Sequence, residues 1–348
     1  MKRLILIAIA FLIANLQAYS QSFSVRMSNS DRLCFQIADT TQRTVEIIRI
    51  KSLGNTQPPL PTGDLIIPST VKYKDVVYTV ASIGDSAFAD AIGLNSVSIP
   101  TSIKSIGKRA FSGCLNLKSI IFPSSNPYIG EDAFEKCISV SSISFGSDWN
   151  ILELQLFADS ESLKEIAVPA RISKISGVKT LANLEKIDVD PNNKAFSSCD
   201  GLLYSKDGKT LYACPKSKSG DISIPDGTEL IFDGAFGDCA KVTSVLLPYS
   251  VHTFAFDEFS SCENLGRIIL MADVPPTTAK WNGATVFAIK SPNRICSLQV
   301  PKENLVRYRV SICYSEGEYE TLQGRRKADI FSGEMMAKTS INRVKKLV

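Results

Sequence analysis

The sequence predicts a repeat solenoid: a leucine-rich-repeat stack of ~23-residue units with a parallel β-sheet face, short helical turns and an N-terminal β cap. Three observations predict it. Phenylalanines fall at Phe88, Phe111, Phe134 and Phe157, each 23 residues after the last, and return 23 apart at Phe236 and Phe259. The apolar residue closing each unit keeps the same step, through Val97, Ile120, Ile143 and Ile166, then Val245 and Ile268. Within a unit, Leu94-x-x-Val97-x-Ile99-Pro100 has the LxxLxL spacing. Units of this size cannot bury an apolar face alone, so each must stack on its neighbours.

The N-terminus comes first. Lys2 and Arg3 precede a 13-residue apolar run, Leu4 to Leu16, and then Ala18-Tyr19-Ser20. This is the pattern of a secretory signal over residues 1–20. The run is short of the roughly 20 residues that span a bilayer, and no later stretch is apolar enough to cross one. The expected location is secreted, cell-surface or periplasmic, where disulfides can form. Nine cysteines are present, none in a CxxC pair, which argues against a zinc site. The net charge of +4 falls to +2 without Lys2 and Arg3, so the chain has no bias towards nucleic acid.

Residues 21–77 lack the repeat and read as a cap for the exposed solenoid end. Leu33, Phe35 and Ile37 alternate with other residues, as do Val45 and Ile47, around the polar stretch Asp39 to Arg43, which predicts a β-hairpin. Leu65-Ile66-Ile67-Pro68 resembles the strand end of a repeat, and Val71 to Val80 a second hairpin turning at Lys74-Asp75.

Residues 78–301 form the solenoid. Val97 and Ile99 share the inward strand face, with Ser96 and Ser98 outward. Ile103-x-x-Ile106-Gly107 predicts a second short extended piece and a bend. Ala110-Phe111-x-x-Cys114-x-x-Leu117 has helical spacing for about two turns. The phenylalanines should stack into a ladder inside the coil. Later units degrade: Ser160 stands at the cysteine position, and Val178 where phenylalanine would be. Residues 194–220 interrupt the period with a hairpin turning at Asp207-Gly208. Residues 221–272 resume it, 273–288 read as a loop, and Leu298-Gln299-Val300-Pro301 as a closing strand. Residues 302–348 are a C-terminal basic tail, read as poorly ordered from Arg325 onward.

The combination IxxIGxxAFxxCxxLxxIxIP resembles the BspA-type leucine-rich-repeat proteins of gut and oral anaerobic bacteria, over about 65–301. Asp200 to Leu211 (DGLLYSKDGKTL) is similar to the family's DGxLY insert, and Val274 to Pro276 and Leu298 to Pro301 to its closing pattern. The resemblance implies secretion or surface display and adhesion to host matrix proteins or other cells. It supplies no catalytic residues. After Tyr308 this chain departs from the family by running into its basic tail.

No nucleophile–base–orienter set is visible. His252 is the sole histidine and falls at a variable outward position. Cys114, Cys137, Cys239 and Cys262 share one repeat position and read as small buried hydrophobes. Asp188 and Asp190 lead into a turn at Pro191-Asn192-Asn193. The outward strand positions remain as candidate partner-binding residues: Ser96, Ser98, Ser119, Ser142 and Ser144, small and flat, then Glu165, Lys186, Asp188 and Arg267, charged, with Ser244 and Ile269 beside them. Cys199 and Cys214 flank the insert hairpin. With Leu203 facing Tyr212 and Gly201 facing Cys214, a bend at Asp200-Gly201 would bring them to a disulfide; the competing reading is two free thiols. No cofactor is expected. The expected function is a secreted or cell-surface adhesion protein binding a protein or glycan on host matrix or a cell surface. The alternative is a structural envelope spacer module without a dedicated ligand.

Overall fold

The computed structural model describes residues 21–27, 32–49, 59–255, 258–259, 261–273 and 276–277, and strands at 279–281, 284–286, 288–291, 297–300, 311–314 and 344–346. Residues 1–20, read above as a secretory signal, and Val274, Pro275, Pro301, Tyr308 and most of the tail lie outside the described residues. The rest is β-solenoid and falls into two compact units: residues up to 163 with 175–180, and 164–174 with 181 onward.

The first unit begins with the cap. Arg32–Asp39 pairs antiparallel with Thr44–Ile48, with Phe35 opposite Ile47 and Ile37 opposite Val45. These four side chains and Leu33 are buried, as the alternation predicts. Asp39 closes the turn, its Oδ1 accepting from Thr41 N at 2.7 Å and Gln42 N at 2.8 Å. The second hairpin joins Thr70–Tyr73 to Val76–Ile83 through Lys74 and Asp75, both left-handed at φ 46° and 61°. Two consecutive left-handed residues make the turn that matches strand twist. Val76–Ile83 then pairs in parallel with Thr44–Ile48 on one side and Ser105–Ile106 on the other, so one strand joins cap to coils.

The coils stack in register. Leu65, Val97, Ile120 and Ile143 are direct partners across one parallel sheet, and Ile83, Ile106 and Ile129 across a second. Phe88, Phe111, Phe134 and Phe157 form the expected ladder, with ring centroids 5.0, 5.3 and 5.4 Å apart. The bend glycine is required by close approach. Gly107 N donates to Ile83 O at 2.7 Å, and a Cβ on Gly107 would lie 2.6 Å from the backbone carbon of Gly84.

The helical expectation fails at the corners. Among the described residues there is no α-helix, only the 3-10 turns Leu154–Phe157 and Val178–Thr180. Ala110, Ser112 and Cys114 donate back three residues, while Arg109, Phe111 and Gly113 donate to the next coil at Glu131, Ala133 and Glu135. The residues two either side of Phe88, Phe111 and Phe134 are left-handed: Ser86 and Asp90, Arg109 and Gly113, Asp132 and Lys136. This alternation gives every second N–H to the neighbouring coil, which an α-helix would keep for itself.

In the second unit, Glu165–Val168 pairs in parallel with Lys186–Val189, placing Ile166 beside Ile187. Gly220–Ser223, Val242–Leu247, Arg267–Leu270 and Ser297–Val300 form another parallel sheet through Ile222, Val245, Ile268 and Leu298. Phe236 and Phe259 stack at 5.2 Å. The insert is part of the stack: Phe196–Cys199, Leu202–Ser205 and Thr210–Ala213 are antiparallel, and the last pairs in parallel with Leu230–Ile231. Two expectations are corrected. Residues 273–288, read as a loop, contain a hairpin of Ala279–Trp281 with Ala284–Val286. In the tail, Val344–Lys346 adds a strand beside Ser297–Val300.

Candidate binding faces

Strand alternation sends the predicted residues outward, but onto three separate sheets rather than one row. In the first unit, Ser96, Ser98 and Ser119 are half-buried, and Ser142 and Ser144 exposed. They make a flat hydroxyl surface, on which Ser96 Oγ donates to Asp64 at 2.7 Å. In the second unit, Glu165, Lys186 and Asp188 are exposed, with Glu165 opposite Lys186. Arg267 belongs to another sheet of that unit, where Ser244 is buried.

The insert hairpin separates the second and third sets. Gly201 O accepts from Ile187 N at 2.9 Å, and Ser198 Oγ from Val189 N at 3.0 Å, so the hairpin occupies the edge of Lys186–Val189. Gly201 is left-handed, at φ 78°, and the side chain of Lys186 packs against it; a Cβ there would lie 3.0 Å from Lys186 Cγ. A cleft of about 450 Å³ results, lined by Glu165, Lys186, Asp188, Asp200 and Lys218. Lys218 Nζ donates to Asp200 O at 2.6 Å and stands 3.0 Å from its carboxylate. Both signs of charge meet in a solvated groove, an arrangement suited to recognising a polar surface.

Around Arg267 the sequence missed a partner. Asp221 accepts from Ser244 Oγ at 2.6 Å and Thr243 Oγ1 at 2.8 Å, with Arg267 Nη2 at 3.9 Å. The two hydroxyls, Ser244 first, and then the guanidinium hold its carboxyl below the ordinary range. Sequence alternation alone could have found Asp221, since it is the outward residue of Asp221-Ile222-Ser223.

His252 is exposed, its Nε2 3.9 Å from Glu229. Asp190 caps the expected turn, accepting from Asn192 N at 2.8 Å. Among the described residues no group of three His, Cys, Asp or Glu side chains is placed to hold a metal ion. No helix there is long and apolar enough to cross a membrane.

The recurring phenylalanines Phe88, Phe111, Phe134, Phe157, Phe236 and Phe259 and the cysteines Cys114, Cys137, Cys239 and Cys262, by contrast, are all buried. A sequence profile described as the BspA type leucine rich repeat region matches in six copies over residues 81–203 and 209–296, more than half of the chain. The chain belongs to this BspA-type leucine-rich-repeat family. Solved structures similar to it include the pneumococcal vaccine antigen PcpA, at 17% identity and a TM-score of 0.48, covering 84% of this chain and 99% of that one. A leucine-rich cell surface protein from Faecalibacterium prausnitzii has 19% identity and a TM-score of 0.40, covering 84% and 95%. A leucine-rich-repeat protein from Bacteroides ovatus has 19% identity and a TM-score of 0.43, covering 82% and 78%. No curated protein sequence matches the chain.

In the BspA-type repeat of this chain, the cysteine is a packing residue whose thiol faces backbone carbonyl oxygens. Cys114 Sγ donates to Phe88 O and Cys137 Sγ to Phe111 O, both at 3.3 Å, and Cys262 Sγ to Phe236 O at 3.5 Å. The Cys114 thiol, and then burial, push the Cys137 thiol up. Cys214 joins this group. It is fully buried, and Cys239 Sγ lies 3.6 Å from its carbonyl oxygen. The expected bridge to Cys199 is not formed: neither cysteine is part of a disulfide, and Cys199 is exposed on its edge strand. The hairpin register differs from the expected one, with Leu203 opposite Ala213, Tyr204 opposite Leu211 and a bulge between.

Proposed function

We propose that this protein is a non-catalytic binding protein, secreted or displayed at the cell surface, whose outward sheet faces engage a protein or glycan of host matrix or of another cell. The observation that carries this reading is the division of labour along each strand. The repeat's own residues are consumed by packing, while Glu165, Lys186 and Asp188 are exposed and line the cleft beside the insert hairpin. Solenoids commonly bind through such faces, and loops and edges held by a rigid scaffold commonly carry function. Family membership supports the same assignment. The test is capture of solubilised matrix and of host and bacterial surface extracts by the purified chain, followed by Lys186→Glu and Arg267→Glu made separately. Loss with Lys186→Glu alone assigns the cleft, and loss with Arg267→Glu alone assigns the neighbouring sheet. Retention of binding by the doubly reversed chain, together with loss on substitution of turn residues, removes the sheet-face reading.

A further inference from the structure

In the first unit, four residues before Phe88, Phe111 and Phe134, the repeat carries glycine: Gly84, Gly107 and Gly130; in the second, Phe232 and Ala255 hold that position before Phe236 and Phe259. Before Phe157, in the first unit, the repeat carries Glu153. A Cβ on Gly130 would meet Lys108 N at 2.7 Å and the backbone carbon of Gly107 at 2.8 Å, so no side chain fits at the spacing of these first-unit coils. The stacking breaks where the glycine is lost. The sheet running through Val76–Ile83, Ser105–Ile106 and Tyr128–Ile129 ends at the last of these, and Ile151–Glu153 pairs in a different sheet. A cavity of about 310 Å³ lies between the two strands, in the first unit.

The walls of this cavity are apolar and fixed. Trp149 is 3% exposed, its Nε1 donates to Pro123 O at 3.0 Å, and its ring lies 5.1 Å from that of Phe145. Ile151 and Leu156 complete the wall, and Tyr128, 72% exposed, stands at the mouth. Glu153 also lines it. That carboxylate makes no capping bond to the 3-10 turn Leu154–Phe157 and has no ion-pair partner among the described residues.

We propose that this gap seats an extended segment of a partner protein. The segment adds a strand to the open edge of Tyr128–Ile129, buries one bulky apolar side chain against Phe145 and Trp149, and pairs a lysine or arginine with Glu153. An open strand edge is a template for another strand. A dry cavity of about 150 Å³ takes benzene, so one of twice that volume accommodates an aromatic side chain. Ile151 and Glu153 are two apart and share a strand face, which sets the apolar and basic residues of the partner two apart as well. The unpaired carboxylate supplies the charge complementarity. This inference stands apart from the outward faces, which Lys186 and Arg267 test.

The probe is the capped pentapeptide Thr-Phe-Thr-Lys-Thr, titrated against the full chain carrying Trp281→Phe, which leaves Trp149 as the sole tryptophan. A saturable change in Trp149 emission is expected. It weakens about tenfold when the peptide lysine becomes glutamate, and is lost when the phenylalanine becomes serine. Glu153→Gly, which restores the repeat glycine, closes the cavity and abolishes the response. Glu153→Gln keeps the cavity and removes only the preference for lysine over glutamate, so the proposal remains testable if the glycine variant does not fold. No saturation up to the peptide's solubility limit, equal response to all three peptides, or a saturable response to cellobiose in place of the peptides overturns it.

Discussion

Phe111 and Phe134 lie face to face across adjacent coils, with ring centroids 5.3 Å apart and planes 2° from parallel. Each ring is part of its neighbour's burial, so loss of one exposes both faces of the ladder. Phe111→Ala is expected to destabilise by about 3–5 kcal/mol, the usual cost of aromatic truncation in a core. Phe232→Ala removes a ring that is 51% exposed and meets only the edge of Tyr212, at 5.8 Å, among the described rings, and should cost less, about 1–2 kcal/mol. Urea unfolding of the two variants checks the contrast, and equal midpoints would contradict the stacked ladder.

Gly107 and Gly266 make opposite predictions under the same substitution. Neither has a left-handed φ, so alanine is permitted by the backbone at both. At Gly107 the new Cβ collides with backbone atoms of Asp85 and Gly84, 2.6 Å away, which cannot yield as a flexible side chain would. At Gly266 the nearest atom is Thr243 O at 3.8 Å. Gly107→Ala should destabilise by about 1–3 kcal/mol through overpacking. Gly266→Ala should stabilise by about 0.4–1 kcal/mol by restricting the unfolded chain. Opposite shifts in thermal midpoint are the expected result.

Burial was legible in the sequence because it follows the period. Phe88 to Phe157, Val97 to Ile143 and the cap residues Phe35 and Ile47 all lie where their spacing places them. The corners were not, because apolar residues three apart suit a helix and a run of three-residue turns equally. The deciding feature is the left-handed backbone at Arg109, a residue type that does not announce it. The continuity of the outward face was overestimated for a related reason: Lys186 and Arg267 hold equivalent repeat positions, but the insert hairpin lies between their strands in the chain and takes up the edge of the first. Its own register was misjudged because the turn spans four residues, with Asp207 Oδ1 accepting from Ser205 Oγ at 2.6 Å and Lys209 N at 3.1 Å. Glu153 stood in the sequence as a break in a glycine row, a signal that gains meaning only once the row is known to touch backbone.

Asp221 predicts a pH dependence. Its folded carboxyl is held below the unfolded value, mainly by the Ser244 hydroxyl, then by Thr243 and Arg267. A depressed carboxyl contributes stability that is present above the unfolded aspartate pKa and lost as pH falls through the folded one. A pH titration followed by carboxyl NMR should therefore find Asp221 below the ordinary aspartate value. Ser244→Ala should raise it more than Arg267→Gln does, since the hydroxyl is the larger cause. Equal shifts in the two variants would contradict the hydrogen-bonded arrangement.

The cysteines give the last prediction. Cys114, Cys137, Cys214, Cys239 and Cys262 are buried at 0% exposure, whereas Cys199 is exposed on the edge strand of the insert. Alkylation requires access to the sulfur, and burial withholds it. With the native chain at neutral pH, Cys199 should be labelled rapidly and those five only after addition of denaturant. Mass spectrometry of a non-reduced digest should then find the Cys199 and Cys214 peptides separate. A peptide pair linked through these two residues would mean that the chain forms the bridge after all. Forming it requires Cys214 to leave the stack it shares with Cys239 and Phe236, so the same digest decides whether the hairpin belongs to the solenoid core or is stapled onto it.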